Sequence, residues 1–158
     1  YQNLLDGAEI GNINDSFVMA RSTLNSVLPK STSVVYSLNK VFKGIKNKIH
    51  CMSFRVPTSI VSCGIMDLEI SNSNLTKKKI IDILKNYSKN KKLLINFIDK
   101  PLASIDYLKS NFATNIETKW IDIINKNKIQ LVYWYDNEWG YVSRINQLLN
   151  LIKKVGKF

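Results

Sequence analysis

Between Trp134-Tyr135 and Trp139-Gly140-Tyr141 the chain carries Asp136-Asn137-Glu138, three polar residues where an apolar strand pattern gives way to an amphipathic helix. A packed core does not require such a triplet, and strand-to-helix junctions are where many proteins present chemistry to ligands. The Asn137 amide offers both a donor and an acceptor, which suits recognition of another carboxamide. The plainer alternative is that Asp136 or Asn137 caps the helix, with Glu138 in its first turn. Tyr135, Trp139 and Tyr141 could flank a planar ring, although aromatics at that spacing more often fill a core.

Arg55 is the second candidate, at the end of Phe54-Arg55-Val56-Pro57-Thr58. A guanidinium at a strand end is placed to grip an oxyanion through two parallel hydrogen bonds. Its structural alternative is an ion pair with Asp67 or Glu69 on a neighbouring strand. Thr32 and Ser33 form the third, following Pro29-Lys30-Ser31 at the start of a helical pattern. Hydroxyls, free backbone N–H groups and the positive end of a helix dipole can cradle a phosphate, with simple N-capping as the commoner alternative.

A nucleophile with its base is not apparent. His50 precedes Cys51, but adjacent residues on a strand point to opposite faces, and Cys63 beside Gly64 has no basic neighbour. Two cysteines and one histidine lack the spacing of a metal site and read as reduced cytosolic thiols. The expectation is a cytoplasmic chain with no catalytic dyad of its own and no metal.

The elements that must position these groups follow from patterning. A length of 158 residues, 45% hydrophobic, is enough for a domain with a real core. No apolar run approaches bilayer length and no secretory leader is recognisable, so no membrane association is expected. The chain opens on Tyr1 rather than Met, which suggests a fragment, a processed chain or an excised domain. The net charge of +11 could signal a polyanion partner. Scattered lysines, only three arginines and an abundance of Lys, Asn and Ile, all with A/T-rich codons, make solvated surface the better account, and nucleic acid an unlikely partner.

Residues 1 to 19 read as loop. Val34, Leu38, Val41 and Phe42 predict a helix stopping near Lys43-Gly44. Met52, Phe54 and Val56 alternate with Cys51, Ser53 and Arg55 in a strand closed by Pro57, which puts Arg55 on its polar face. A second strand runs through Met66, Leu68 and Ile70, and a helix after Thr76 carries Ile80, Ile83, Leu84 and Tyr87. Further strands are predicted over Leu93–Ile98, Leu102–Leu108, Ile116–Ile124 and Ile129–Tyr135, before a last helix with Tyr141, Ile145, Leu148, Leu149 and Ile152 on one side. Strands that follow one another without crossover helices predict an α+β fold: a mixed, largely antiparallel sheet covered by helices on one face, ending in a C-terminal helix. A doubly wound nucleotide fold is disfavoured, since no Gly-x-Gly-x-x-Gly turn occurs.

Taken in order, Ser26-Val27-Leu28-Pro29-Lys30-Ser31-Thr32, Phe54 to Thr58, Pro101-Leu102-Ala103-Ser104-Ile105-Asp106 and Trp134 to Tyr141 resemble landmarks of the glyceraldehyde-3-phosphate dehydrogenase family. The resemblance spans roughly residues 2 to 154, and the erythrose-4-phosphate dehydrogenases share most of it. It implies residues 1–139 as a partial catalytic domain, and 140–158 as a C-terminal helix that packs on an NAD-binding domain of the same parent chain. It also implies a homotetramer acting on a small sugar-phosphate aldehyde and inorganic phosphate. In such enzymes a thiolate attacks the aldehyde, hydride passes to NAD, and phosphate releases the thioester. The family's nucleophile and base precede the matched stretch.

By position, Arg55 resembles the Arg that binds the substrate's phosphate, and Thr32 with Ser33 the Thr-Gly pair at the attacking-phosphate site. Asn137 resembles the Asn that fixes the nicotinamide carboxamide, and Tyr141 the Tyr near its ring. The chain departs from the family at Met19, where an Arg usually serves inorganic phosphate, and at Ser33, where Gly is usual. Its loop from Gly7 to Phe17 is also longer, and Arg21 or Lys30 is the candidate to compensate for Met19. The competing class is a non-catalytic remnant that keeps its anion sites. Arg55 and Asn137 are expected to serve one cleft.

Overall fold

Leu28–Lys30 (β1) pairs antiparallel with Ser53–Arg55 (β2), and the helix Val34–Val41 (α1) falls between them in the chain. These lie in the first of two compact units, Tyr1–Ser59, and all later elements lie in the second, Ile60–Phe158. The computed structural model describes residues 24–71, 74–91 and 93–156. The long loop Gly7–Phe17, Met19 and Arg21 lie outside the described residues.

In the first unit α1 ends where expected, with Gly44 at φ 85°, a left-handed value that glycine reaches without steric cost. β2 inverts its expectation. Ser53 and Arg55 are the buried positions and Met52 is 63% exposed, so the polar side of the alternation faces inward. The Ser53 hydroxyl donates to the Lys30 carbonyl at 2.8 Å, and Arg55 stands opposite the buried Leu28.

The second unit is built on a five-stranded mixed sheet. Its strands are Ser62–Glu69 (β3), Ile95–Ile98 (β4), Thr114–Glu117 (β5), Asp122–Ile124 (β6) and Lys128–Tyr135 (β7). The order is β3-β7-β5-β4, with β6 also on β7; every pairing is antiparallel except β4 with β5. With the helices Lys77–Ser88 (α2) and Trp139–Val155 (α3), the fold is α+β and closes on a helix.

Alternation along β7 sends Ile129, Leu131 and Tyr133 to one face, where they join Ile116, Ile121 and Ile80 of α2 in the core. α2 starts as its sequence dictates, the Thr76 hydroxyl accepting from the Lys79 N–H at 3.2 Å. Ile80, Ile81 and Leu84 turn inward, whereas Ile83 and Tyr87 of the expected stripe are exposed. On α3 the expected apolar side is exposed throughout, from Tyr141 to Ile152. No helix of the described residues is long and apolar enough to cross a membrane.

Two strand expectations fail. Leu102–Leu108 holds a 3₁₀ turn at Ser104–Tyr107 instead, because the Asp106 carboxylate takes the Ala103 N–H at 2.8 Å and closes the backbone on itself. That turn delivers Tyr107 to the sheet face opposite the core, stacked on Trp134 with ring centroids 5.4 Å apart. Ile116–Ile124 is split by a 3₁₀ turn at Thr118–Trp120, where the Thr118 hydroxyl engages the Ile98 carbonyl and the Asp99 carboxylate. Both halves, β5 and β6, then pair with the same edge of β7.

Candidate active site

Two of the sequence-derived groups lie in the first unit and two in the second, and each pair is positioned by its own elements. Arg55 ends β2 at 1% exposure. A guanidinium stays charged at any ordinary pH, so burying one demands anionic or hydrogen-bonding company. Just beyond it the Thr58 N–H closes a tight turn on the Val56 carbonyl at 2.7 Å, and the buried Thr58 hydroxyl has no hydrogen-bond partner among the described residues. Asp67 and Glu69, the alternative partners named for Arg55, are engaged on the sheet by Gln130 and Asn127.

At the head of α1 the hydroxyls divide their roles. Thr32 accepts the Val34 N–H at 3.3 Å, while Ser33, the residue at the cap position, makes no side-chain cap bond. Both are reachable by solvent, Ser33 fully and Thr32 in part. The result is a lightly capped, accessible helix start with one spare hydroxyl, which can accept an anion.

The turn between β7 and α3 is far more constrained. Asp136 is 2% exposed, and its carboxylate accepts three backbone N–H groups: Lys109 at 2.8 Å, Glu138 at 3.1 Å and Trp139 at 2.8 Å. The capping expectation therefore holds for Asp136. Sequence reasoning missed its third bond, which fixes Lys109 in a left-handed turn at φ 59°. Asn137 is thereby left free of capping duty. Its Oδ1 accepts from the Ser62 hydroxyl at 3.5 Å, and its Nδ2 has no hydrogen-bond partner among the described residues. Tyr141, in the first turn of α3, is 66% exposed and its ring is available to a ligand.

A polar cluster that the sequence did not announce sits on the sheet face opposite the core. The Tyr107 hydroxyl donates to the buried Glu117 carboxylate at 2.6 Å, and burial followed by that bond pushes the phenol well above its usual value. The only sequence hint was a Glu inside an apolar strand pattern. Cys63 shares this face; burial, with Glu117 adding to it, raises its thiol. A thiol held protonated is a poor nucleophile. Among the described residues no group of His, Cys, Asp and Glu could hold a metal ion.

In the first unit the strand-end guanidinium and the open helix start have the chemistry to meet an anion, and in the second unit the Asn137 amide has a donor to offer a carbonyl oxygen. Residues 2–137 match the family model described as glyceraldehyde 3-phosphate dehydrogenase, C-terminal domain. Among curated proteins, a glyceraldehyde-3-phosphate dehydrogenase 2 of Staphylococcus epidermidis is 32% identical over 149 residues, covering 93% of this chain and 42% of that protein. One from Staphylococcus aureus is 32% identical over 142 residues, covering 89% and 40%. A chloroplastic glyceraldehyde-3-phosphate dehydrogenase of Arabidopsis thaliana is 30% identical over 133 residues, covering 84% and 34%. The chain belongs to the glyceraldehyde-3-phosphate dehydrogenase family and corresponds to its C-terminal domain. It spans less than half the length of these relatives.

Proposed function

We propose that this chain is the catalytic-domain portion of an NAD-dependent, phosphorylating aldehyde dehydrogenase that oxidises glyceraldehyde 3-phosphate to the acyl phosphate in the cytoplasm. The parent enzyme would be a homotetramer in which the part of the catalytic domain preceding the matched stretch supplies the nucleophile and its base, and the NAD-binding domain holds the cofactor. Residues 140–158, most of α3, would pack on that domain; the exposed apolar side of α3 supports this.

In this reading Arg55 holds the substrate's phosphate with its guanidinium fork, and Thr32 with Ser33 receives the attacking inorganic phosphate at the start of α1. Asn137 donates an amide N–H to the cofactor's carboxamide oxygen, and Tyr141 borders the nicotinamide ring. The free Nδ2 of Asn137 suits that acceptor. NAD, when bound, takes up the hydride.

The observation that carries the proposal is Arg55, a guanidinium at 1% exposure in the position that matches the family's phosphate-binding arginine. In the parent enzyme Arg55→Lys replaces a two-pronged donor with a point charge. It should raise the KM for glyceraldehyde 3-phosphate by roughly ten- to a hundredfold and leave NAD affinity in place. Unchanged kinetics would make Arg55 structural and remove the proposal's main support. Comparing kcat/KM for glyceraldehyde 3-phosphate and erythrose 4-phosphate decides between the two aldehydes.

A further inference from the structure

Ser62 opens β3 directly opposite Tyr135, the last residue of β7, so it lies at the end of the sheet beside the turn that follows. It is 1% exposed, and its hydroxyl donates to Asn137 Oδ1 at 3.5 Å. A buried hydroxyl costs free energy unless its hydrogen is placed on an acceptor. The carboxylate of Asp136 meanwhile fixes the backbone on either side of Asn137 through Lys109, Glu138 and Trp139. The position of the Asn137 Cα is thus settled by Asp136, and what stays open is which end of the amide points outward.

Rotation about the last side-chain bond of an asparagine is broad and roughly two-fold, so an unassisted amide presents oxygen and nitrogen to a ligand with similar ease. We propose that Ser62 is a positioning residue that anchors the Asn137 oxygen and turns its NH₂ outward, making this turn a donor that selects ligands presenting a carbonyl oxygen. The inference rests on the cofactor role of Asn137 proposed above. It goes further in naming the residue that sets the polarity of the contact. Ser62 touches no substrate atom in this scheme and acts through Asn137 alone.

The test uses the parent enzyme with Ser62→Ala, Ser62→Thr, Asn137→Ala and the Ser62→Ala/Asn137→Ala double variant. The dissociation constants of NAD and of its 3-acetylpyridine analogue, which keeps the carbonyl oxygen and lacks the NH₂, are measured for each. Ser62→Ala should weaken both dinucleotides roughly three- to tenfold, with the aldehyde KM unchanged. Ser62→Thr should restore most of that loss, and Ser62→Ala should do nothing further once Asn137 is Ala. A full Ser62→Ala effect in the Asn137→Ala background overturns the proposal, as does a loss confined to NAD.

A second readout does not depend on the cofactor. The side-chain amide proton resonances of Asn137, assigned by their disappearance in Asn137→Asp, should shift in Ser62→Ala and return in Ser62→Thr. If they stay in place, Ser62 does not position the amide, whatever the affinities show. If they move while Asn137→Ala leaves NAD affinity untouched, the cofactor reading fails and the Ser62 anchor stands.

Discussion

The chain makes two strand-to-helix junctions of the same length, and they are built in opposite ways. Between β7 and α3 the buried Asp136 collects three N–H groups, two from its own helix and one from a distant turn. Between β1 and α1 the exposed end of the helix is capped by one longer bond from Thr32, and Ser33 adds none. A junction whose donors are satisfied internally holds a side chain still, which suits an orienting contact such as that of Asn137. A junction whose donors stay open can receive a mobile anion. The two turns share a length, and the acceptor chemistry within each decides which purpose it suits.

Removing the acceptor at the first junction should have the largest effect. Asp136→Ala leaves three N–H groups without their carboxylate, and stability should fall by about 2–4 kcal/mol in a denaturant titration. A loss below about 1 kcal/mol would mean that the two junctions do not differ in the way described. Tyr107→Phe comes next, since the buried Glu117 carboxylate loses its donor; about 1–3 kcal/mol should disappear. The pH dependence follows the same bond. The Tyr107 phenol is raised in the folded chain above its ordinary value of 10.0, so the folded state binds the proton more tightly than the unfolded chain. Its contribution is therefore complete below pH 10 and declines as pH rises above it, and Tyr107→Phe should flatten that alkaline slope. The smallest change in stability is expected at the open junction: Thr32→Ala should alter it by no more than about 0.5 kcal/mol. The same variant should still raise the apparent KM for inorganic phosphate, and a variant that loses stability without that rise would mark Thr32 as a cap and nothing else.

Much of this architecture is legible in the sequence because the signals are local. The alternation from Ile129 to Tyr135, the helical stripe after Thr76 and the Gly44 stop each declare an element by the chemistry of a few adjacent residues. The errors arise where a distant partner decides. Leu102 to Leu108 has the composition of a strand, but Asp106 bends it and Trp134, far along the chain, gives Tyr107 a place to stack. Arg55 was assigned to an outward face on the premise that apolar residues turn inward. Ser53 and Arg55 of β2 are the buried positions and Met52 is the exposed one. Of the candidate site, the residue types at Arg55, Thr32 and Asn137 could be read, whereas Ser62 could not. A serine at the head of a strand carries no signal until the register shows what lies across from it.

Tyr133 lies across Gly64, its ring filling the space that a Cβ there would need. The pairing of β3 with β7 thus depends on a missing methyl group as much as on hydrogen bonds. Any lineage that enlarges residue 64 must move or shrink its aromatic neighbour, so these two positions should drift together.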